Sequence, residues 1–291
     1  MIGGIPARAI FGVPMQAQML IALSAGSLKG MLTRAKAPLA LADLPVHARE
    51  QLDFRGINLP TDMLAGRTLA DLDRLRDRAD RVACPVLMLV ETEGMDLAGA
   101  DARQTAALDR LRKLATAANR LGAPFVGVRL LGVDSPERME RAAKGIRAAL
   151  GEMDRWEVNL LLQPSGGLLE RGEPLVDLVK KVGGFRIGAL PSFMHAHESG
   201  DLRDMLRRLA PYAQAMIAQV KGFTAAGKHM DWSLEQCIEV LRAVGYGNML
   251  SLEYVGKGDG TKSLEQARDA LQEALKAIEA LEAEPEEEEA A

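Results

Sequence analysis

Aromatic side chains are scarce in this chain, with six phenylalanines, three tyrosines and two tryptophans in 291 residues. A core must therefore be filled mainly by Leu, Ala, Val and Met, since apolar residues still make up 48% of the sequence. Cysteine is scarcer still. Cys84 and Cys237 stand alone and far apart, which gives no basis for a disulfide framework or a zinc site. A reducing, cytoplasmic setting is the expectation that follows. Long hydrophobic runs are missing too, and no stretch approaches the ~18 residues of a membrane span. The N-terminus shows no basic segment followed by an apolar run and a cleavage site, so neither an export signal nor a membrane partner is expected. Nor is there an excess of positive charge: 36 Lys and Arg face 40 Asp and Glu, and five of those glutamates fall in the last eight residues. The remaining body is close to neutral, which argues against a nucleic-acid partner.

What the chain does have is rhythm. Short apolar runs alternate with longer segments of helical period. The strand candidates are Met19–Ser24, Gly56–Leu59, Val86–Val90, Phe125–Leu130, Val158–Gln163, Arg186–Leu190, Ala215–Lys221 and Met249–Tyr254. Most are continuous rather than alternating, as parallel strands covered on both faces should be. The segments between them carry helix signals. Thr68 with Asp71 three residues on, Ser135 before Pro136, Ser233 with Gln236 and Ser263 with Gln266 all read as helix starts. Leu111, Leu114, Ala118 and Leu121 form one apolar stripe. Gly122 and Gly245 supply helix ends. Eight such units in this length predict a single-domain α/β protein, a closed (β/α)8 TIM barrel over residues 19–282. Residues 1–18 read as an irregular lead-in and 283–291 as a disordered acidic tail. An open doubly wound sheet is the alternative, but no G-x-G-x-x-G follows an early strand.

In such barrels function sits at the C-terminal ends of the strands. The polar residues there are Ser24, Asn58, Glu91, Glu93, Arg129, Gln163, Ser192, His195, His197, Gln219, Lys221 and Glu253. Gln163, Lys221 and Glu253 end runs that are otherwise apolar. A polar group in the last turn of a core strand should point into the barrel mouth, where burial is costly unless it is paired. His47 and His229 read as surface or loop residues without a role.

The segments RLGAPFVGVRLLG, VNLLLQPSGG, IGALPSFMHAHESGD, LAPYAQAMIAQVKGF and VGYGNMLSLEYVGKGDG, in that order, give the stretch from Asp53 to Gly260 a resemblance to a known family. It resembles the xylose isomerase-like TIM barrels, the sugar phosphate isomerases and epimerases. That resemblance implies a single divalent metal held by Glu, Asp, His and Glu at four strand ends. Placed by motif, the first three positions fall on Gln163, Ser192 and Gln219, and only the last carboxylate is kept, as Glu253. His195 and Lys221 are retained from the same motifs, and Arg129 matches the arginine of the fourth strand.

Two carboxylates of three are gone, and with them most of the charge a hard cation needs. The expectation is therefore no metal and no other cofactor. Gln163 cannot shuttle a proton, so the usual pair of glutamates is broken as well. In an active enzyme of this kind Glu253 would be the base and His195 or Lys221 the acid. Gln163, Ser192, Gln219 and Arg129 would bind sugar hydroxyls. Lys257, in a glycine-rich loop (Gly256, Gly258, Gly260), would meet a phosphate. The partner is then a sugar or sugar phosphate, with oligomerisation open. Two competing readings remain: a non-catalytic pseudoenzyme that binds sugar or protein, and a relocated metal site built from Glu91, Glu93, His195 and His197.

Overall fold

The structure is a computed structural model, and it describes residues 19–36, 38–99, 101–257 and 260–283. The lead-in 1–18 and the acidic tail from 284 onward lie outside the described residues. Eight strands run in chain order: β1 (Ile21–Ser24), β2 (Ile57–Pro60), β3 (Val86–Met95), β4 (Phe125–Leu130), β5 (Asn159–Gln163), β6 (Ile187–Ala189), β7 (Ala215–Val220) and β8 (Met249–Tyr254). The helices are α1 (Lys29–Leu32), α2 (Leu44–Glu50), α3 (Leu69–Arg81), α4 (Asp101–Leu121), α5 (Pro136–Met153), α6 (Gly172–Val182), α7 (Phe193–Glu198), α8 (Leu202–Leu209), α9 (Leu234–Ala243) and α10 (Thr261–Ala283). Among the described residues no helix is long and apolar enough to cross a membrane.

All pairings between the strands are parallel, in the order β6-β5-β4-β3-β2-β1-β8-β7. The ring closes between β6 and β7 through two isolated parallel bridges, Ala189 with Ala213 and Ser192 with Ile217. The second is secured by the Ile217 N–H, which donates to the Pro191 carbonyl at 2.9 Å. This is the (β/α)8 barrel, and the open sheet is excluded.

Alternation along each strand divides the apolar residues into two cores. Outward residues such as Leu23, Leu160, Leu162, Met216, Ala218, Leu250 and Leu252 join the large cluster beneath the helices. Inward ones, Ala22, Met88, Leu161, Leu190, Ala215, Ile217 and Met249, form a separate buried plug inside the ring. The next inward residue above that plug is Ser24 on β1, Gln163 on β5, Gln219 on β7 and Glu253 on β8. The barrel lifts these groups to one mouth.

Most helix starts fall where the residues place them. The Thr68 side chain accepts from the Asp71 N–H and the Asp71 carboxylate from the Thr68 N–H, closing the capping box of α3. Ser135 and Ser233 accept from the Arg138 and Gln236 N–H groups, respectively. Gly122 and Gly245 end α4 and α9 with φ of 74° and 72°, a left-handed region that a side chain would resist. One start is corrected. Helix α10 begins at Thr261, so Ser263 lies inside its first turn and caps nothing. Two strand lengths also differ: β3 continues to Met95, five residues beyond its apolar run, and β6 shrinks to Ile187–Ala189.

A paired substitution tests the caps. Thr68→Ala should cost about 1 kcal/mol of stability in urea unfolding through loss of the cap. Ser263→Ala should be neutral or slightly stabilising, because alanine is the better interior helix former. Equal losses from both would contradict the assigned start of α10.

Candidate functional site

A cavity of about 310 Å³ opens at the C-terminal mouth, lined by Gln163, Gln219, Glu253, Ser24, Ser251 and Arg129 among others. That lies at the small end of the ~300–1,000 Å³ typical of small-molecule sites. Strand register sets the neighbours. Arg129 is paired with Gln163 across β4 and β5, and Gln219 with Glu253 across β7 and β8. The Glu253 carboxylate is held at both oxygens: Ser24 Oγ donates to Oε1 at 3.1 Å and Gln219 Nε2 to Oε2 at 3.4 Å. The other oxygen of the Gln219 amide accepts the Met194 N–H at 3.4 Å. Gln163 is different, because its Nε2 is buried and has no hydrogen-bond partner. Gly127 leaves the space below it; a Cβ there would come within 2.5 Å of Leu190 and 3.9 Å of Gln163 Nε2.

Four residues singled out in the sequence do not line this cavity. Ser192 is buried in the turn after β6, where its hydroxyl accepts the His195 N–H at 3.1 Å and caps α7. His195 extends the other way and donates from Nε2 to the Glu170 carbonyl at 2.8 Å. Lys221 forms an ion pair with Asp231 at 2.9 Å. Lys257 is exposed, and its carbonyl accepts the Tyr254 hydroxyl at 2.7 Å. The glycines of that loop have a packing reason: a Cβ on Gly256 would sit 2.1 Å from the Lys221 carbonyl, and one on Gly260 2.2 Å from the Tyr254 ring.

The relocated metal site does not assemble either. Glu91 and Glu93 lie within β3 rather than past its end, and the register shift there re-aims them: β3 advances from Val90 to Gly94 while β4 advances only from Gly127 to Arg129. Glu91, 1% exposed, is sealed by Arg110 Nε at 2.6 Å, Thr61 Oγ1 at 2.9 Å and the Glu93 N–H at 3.1 Å. His197 packs its ring against Trp232. Among the described residues no group of three or more His, Cys, Asp or Glu is placed to hold a metal ion.

Electrostatics separate the two glutamates at the mouth. Burial pushes the Glu253 carboxyl up from its ordinary value, against opposing hydrogen bonds from Ser24 and Gln219 and the charge of Lys29. Burial would raise Glu91 as well, but the bonds from Arg110, the Glu93 backbone and Thr61 outweigh it and hold the carboxyl low. His229, expected to be a surface or loop residue, is in fact buried. Its Nε2 accepts the Lys221 N–H at 3.1 Å, and its Nδ1 lies 3.1 Å from the Trp232 carbonyl. Burial lowers its pKa; Lys221 and His197 push the same way, and Trp232 and Asp231 oppose. The only sequence sign of this role is its place eight residues after a strand-ending lysine, which is too weak to read.

The chain belongs to the xylose isomerase-like TIM barrel family, whose model matches residues 46–281. No curated protein matches it. Among solved structures it is similar to an L-ribulose 3-epimerase, at 16% identity and a TM-score of 0.75, over 92% of this chain and 99% of that one. A D-psicose 3-epimerase from Clostridium cellulolyticum H10, solved with D-tagatose, gives 13% and 0.69 over 90% and 99%. The probable 3-DHS dehydratase AsbF from Bacillus anthracis gives 17% and 0.64, also over 90% and 99%. At such identities the likeness is one of fold.

Two pH experiments follow from the site. The folded-state pKa of Glu253 lies above its unfolded value, so the unfolded chain loses its proton first as pH rises. Stability should therefore fall above about pH 4.3, the ordinary glutamate value, until the folded carboxyl has also ionised. Glu253→Gln should remove that dependence; urea midpoints measured against pH that run parallel in both proteins would refute it. For His229 the sign is reversed. Its lowered pKa means stability is complete above about 6.5 and is lost as pH falls toward the folded value. His229→Gln should flatten that acid limb.

Proposed function

We propose that the mouth binds a sugar and that Glu253 performs proton transfer on it, as in a sugar isomerase or epimerase, without a divalent ion. The observation that supports this best is a partly buried carboxylate of raised pKa among neutral hydroxyl and amide groups. Such groups match the alternating donors and acceptors of a polyol. A carboxyl raised toward neutrality can both take and return a proton.

The donor set does not fit a hard cation. Gln163 and Gln219 are neutral, Ser192 Oγ is committed to the α7 N-terminus, and Glu253 alone supplies charge where such an ion wants several carboxylate oxygens. No step is therefore assigned to a metal. His195 and Lys221, engaged with Glu170 and Asp231, are not used as the acid. A phosphorylated substrate would place its phosphate at the rim, near Lys29 and Arg129. The guanidinium of Arg129 is bound to a neutral group, the Thr92 carbonyl at 2.6 Å. The second reading, a sugar-binding protein without chemistry, draws on Gln163 standing where the family keeps a carboxylate.

Calorimetric titration decides between these. L-ribulose, D-psicose and D-tagatose, the sugars of the similar structures, are the probes, and manganese is the control. Binding of a sugar with turnover that Glu253→Gln abolishes supports the enzyme. Binding without turnover supports the second reading. Stoichiometric manganese binding by the wild type overturns the metal-free assignment.

A further inference from the structure

The mouth holds one group able to carry a proton, and that number limits the reaction. Inverting a carbon through deprotonation needs removal of a proton on one face and delivery on the other. Two proton carriers flanking the carbon are the direct solution. Glu253 is one. The opposite strand end is Gln163 on β5, three strands away around the ring, and an amide does not exchange a proton in this role. Glu91 also borders the cavity, but its carboxylate is sealed by Arg110, Thr61 and the Glu93 N–H and is not free to act. Two groups that would have supplied a second carrier, His195 and Lys221, are bonded elsewhere.

What Gln163 does offer is a donor. Its Nε2 is buried in the cavity wall without a partner, and a buried amide N–H left unpaired is costly. The cost is recovered when an oxygen arrives, and most fully when that oxygen carries charge.

Resting on the sugar-isomerase reading above, we propose that this site carries out aldose–ketose isomerisation by same-face transfer, with Glu253 as the one base and Gln163 as the donor to the enediolate oxygen. Glu253 removes the proton from the carbon bearing the hydroxyl, next to the carbonyl. That C–H electron pair forms the C=C bond, and the carbonyl π pair moves to oxygen, where the Gln163 N–H receives it. The hydroxyl proton passes to that oxygen, a carbonyl forms at the first carbon, and Glu253 returns its proton to the former carbonyl carbon. Nothing is oxidised or reduced overall, and no co-reactant is consumed.

The test uses the full chain in D2O with the ketoses L-ribulose, D-psicose and D-tagatose, followed by proton NMR. The expected result is deuterium entering one of the two C1 positions, with formation of the aldose and with C3 unlabelled. Gln163→Met keeps the side-chain length without the donor. It should lower kcat by about a hundredfold, as loss of an oxyanion donor does elsewhere, while the calorimetric Kd for the ketose changes little. Deuterium at C3 with a C3 epimer as product overturns the proposal and leaves the sugar-enzyme reading standing. Binding without exchange at any carbon overturns it as well. Failure of every ketose to bind overturns that reading and this inference together. If Gln163→Met does not fold, the stereochemistry of wild-type labelling remains a sufficient test.

Discussion

The constraint on which everything else depends is alternation in a closed ring of strands that all point one way. Each strand exposes every second residue to the interior, and all strands finish at the same end. Whatever occupies the last inward position of a strand therefore reaches a common mouth. The positions below are filled by the plug of Ala22, Met88, Leu161, Ile217 and Met249, which closes the interior from beneath. A handful of side chains above it then determines the chemistry, and the register settles who stands beside whom. Arg129 and Gln163 form one pair and Gln219 and Glu253 the other.

That constraint also explains why two glutamates bordering one cavity behave oppositely. Glu253 is an inward residue with two neutral donors, so burial dominates and its proton is held tightly. Glu91 follows an inward valine and is turned by the irregularity in β3 toward α4, where Arg110 meets it. A guanidinium bond, a hydroxyl and a backbone N–H together satisfy its charge. Environment, not residue type, divides a proton carrier from a structural anion.

Much of this was legible in the amino-acid order. The strands show as apolar runs because both their faces are covered, and β4 and β8 have the bounds the runs suggest. The inward position of Gln163, Gln219 and Glu253 follows from counting by two along those runs. What could not be read involves contacts that skip the local pattern. The length of β3 depends on pairing with β4 past a register shift, so no apolar run marks it. Ser263 has a glutamine three residues on, as a cap should, yet the helix starts earlier because Gly260 and Thr261 can already begin it. His229 looks like a loop residue because its loop folds back on β7, so that Phe223 bridges to it and Trp232 stacks on it.

The polar character of the four family positions needs a more careful reading once the bonds are known. Ser192 is kept polar by a helix cap, and Gln219 by bridging the Met194 N–H to the Glu253 carboxylate. Those two, with Ser24, form a neutral scaffold that orients a single anion at the strand end. Their polarity is thus explained without any ligand. A carboxylate at either place would set a second negative charge close to Glu253 and raise both pKa values. Gln163 is the exception, because no contact within the protein accounts for its amide N–H. Of the three replaced positions, it is the one whose side chain asks for something from outside the chain.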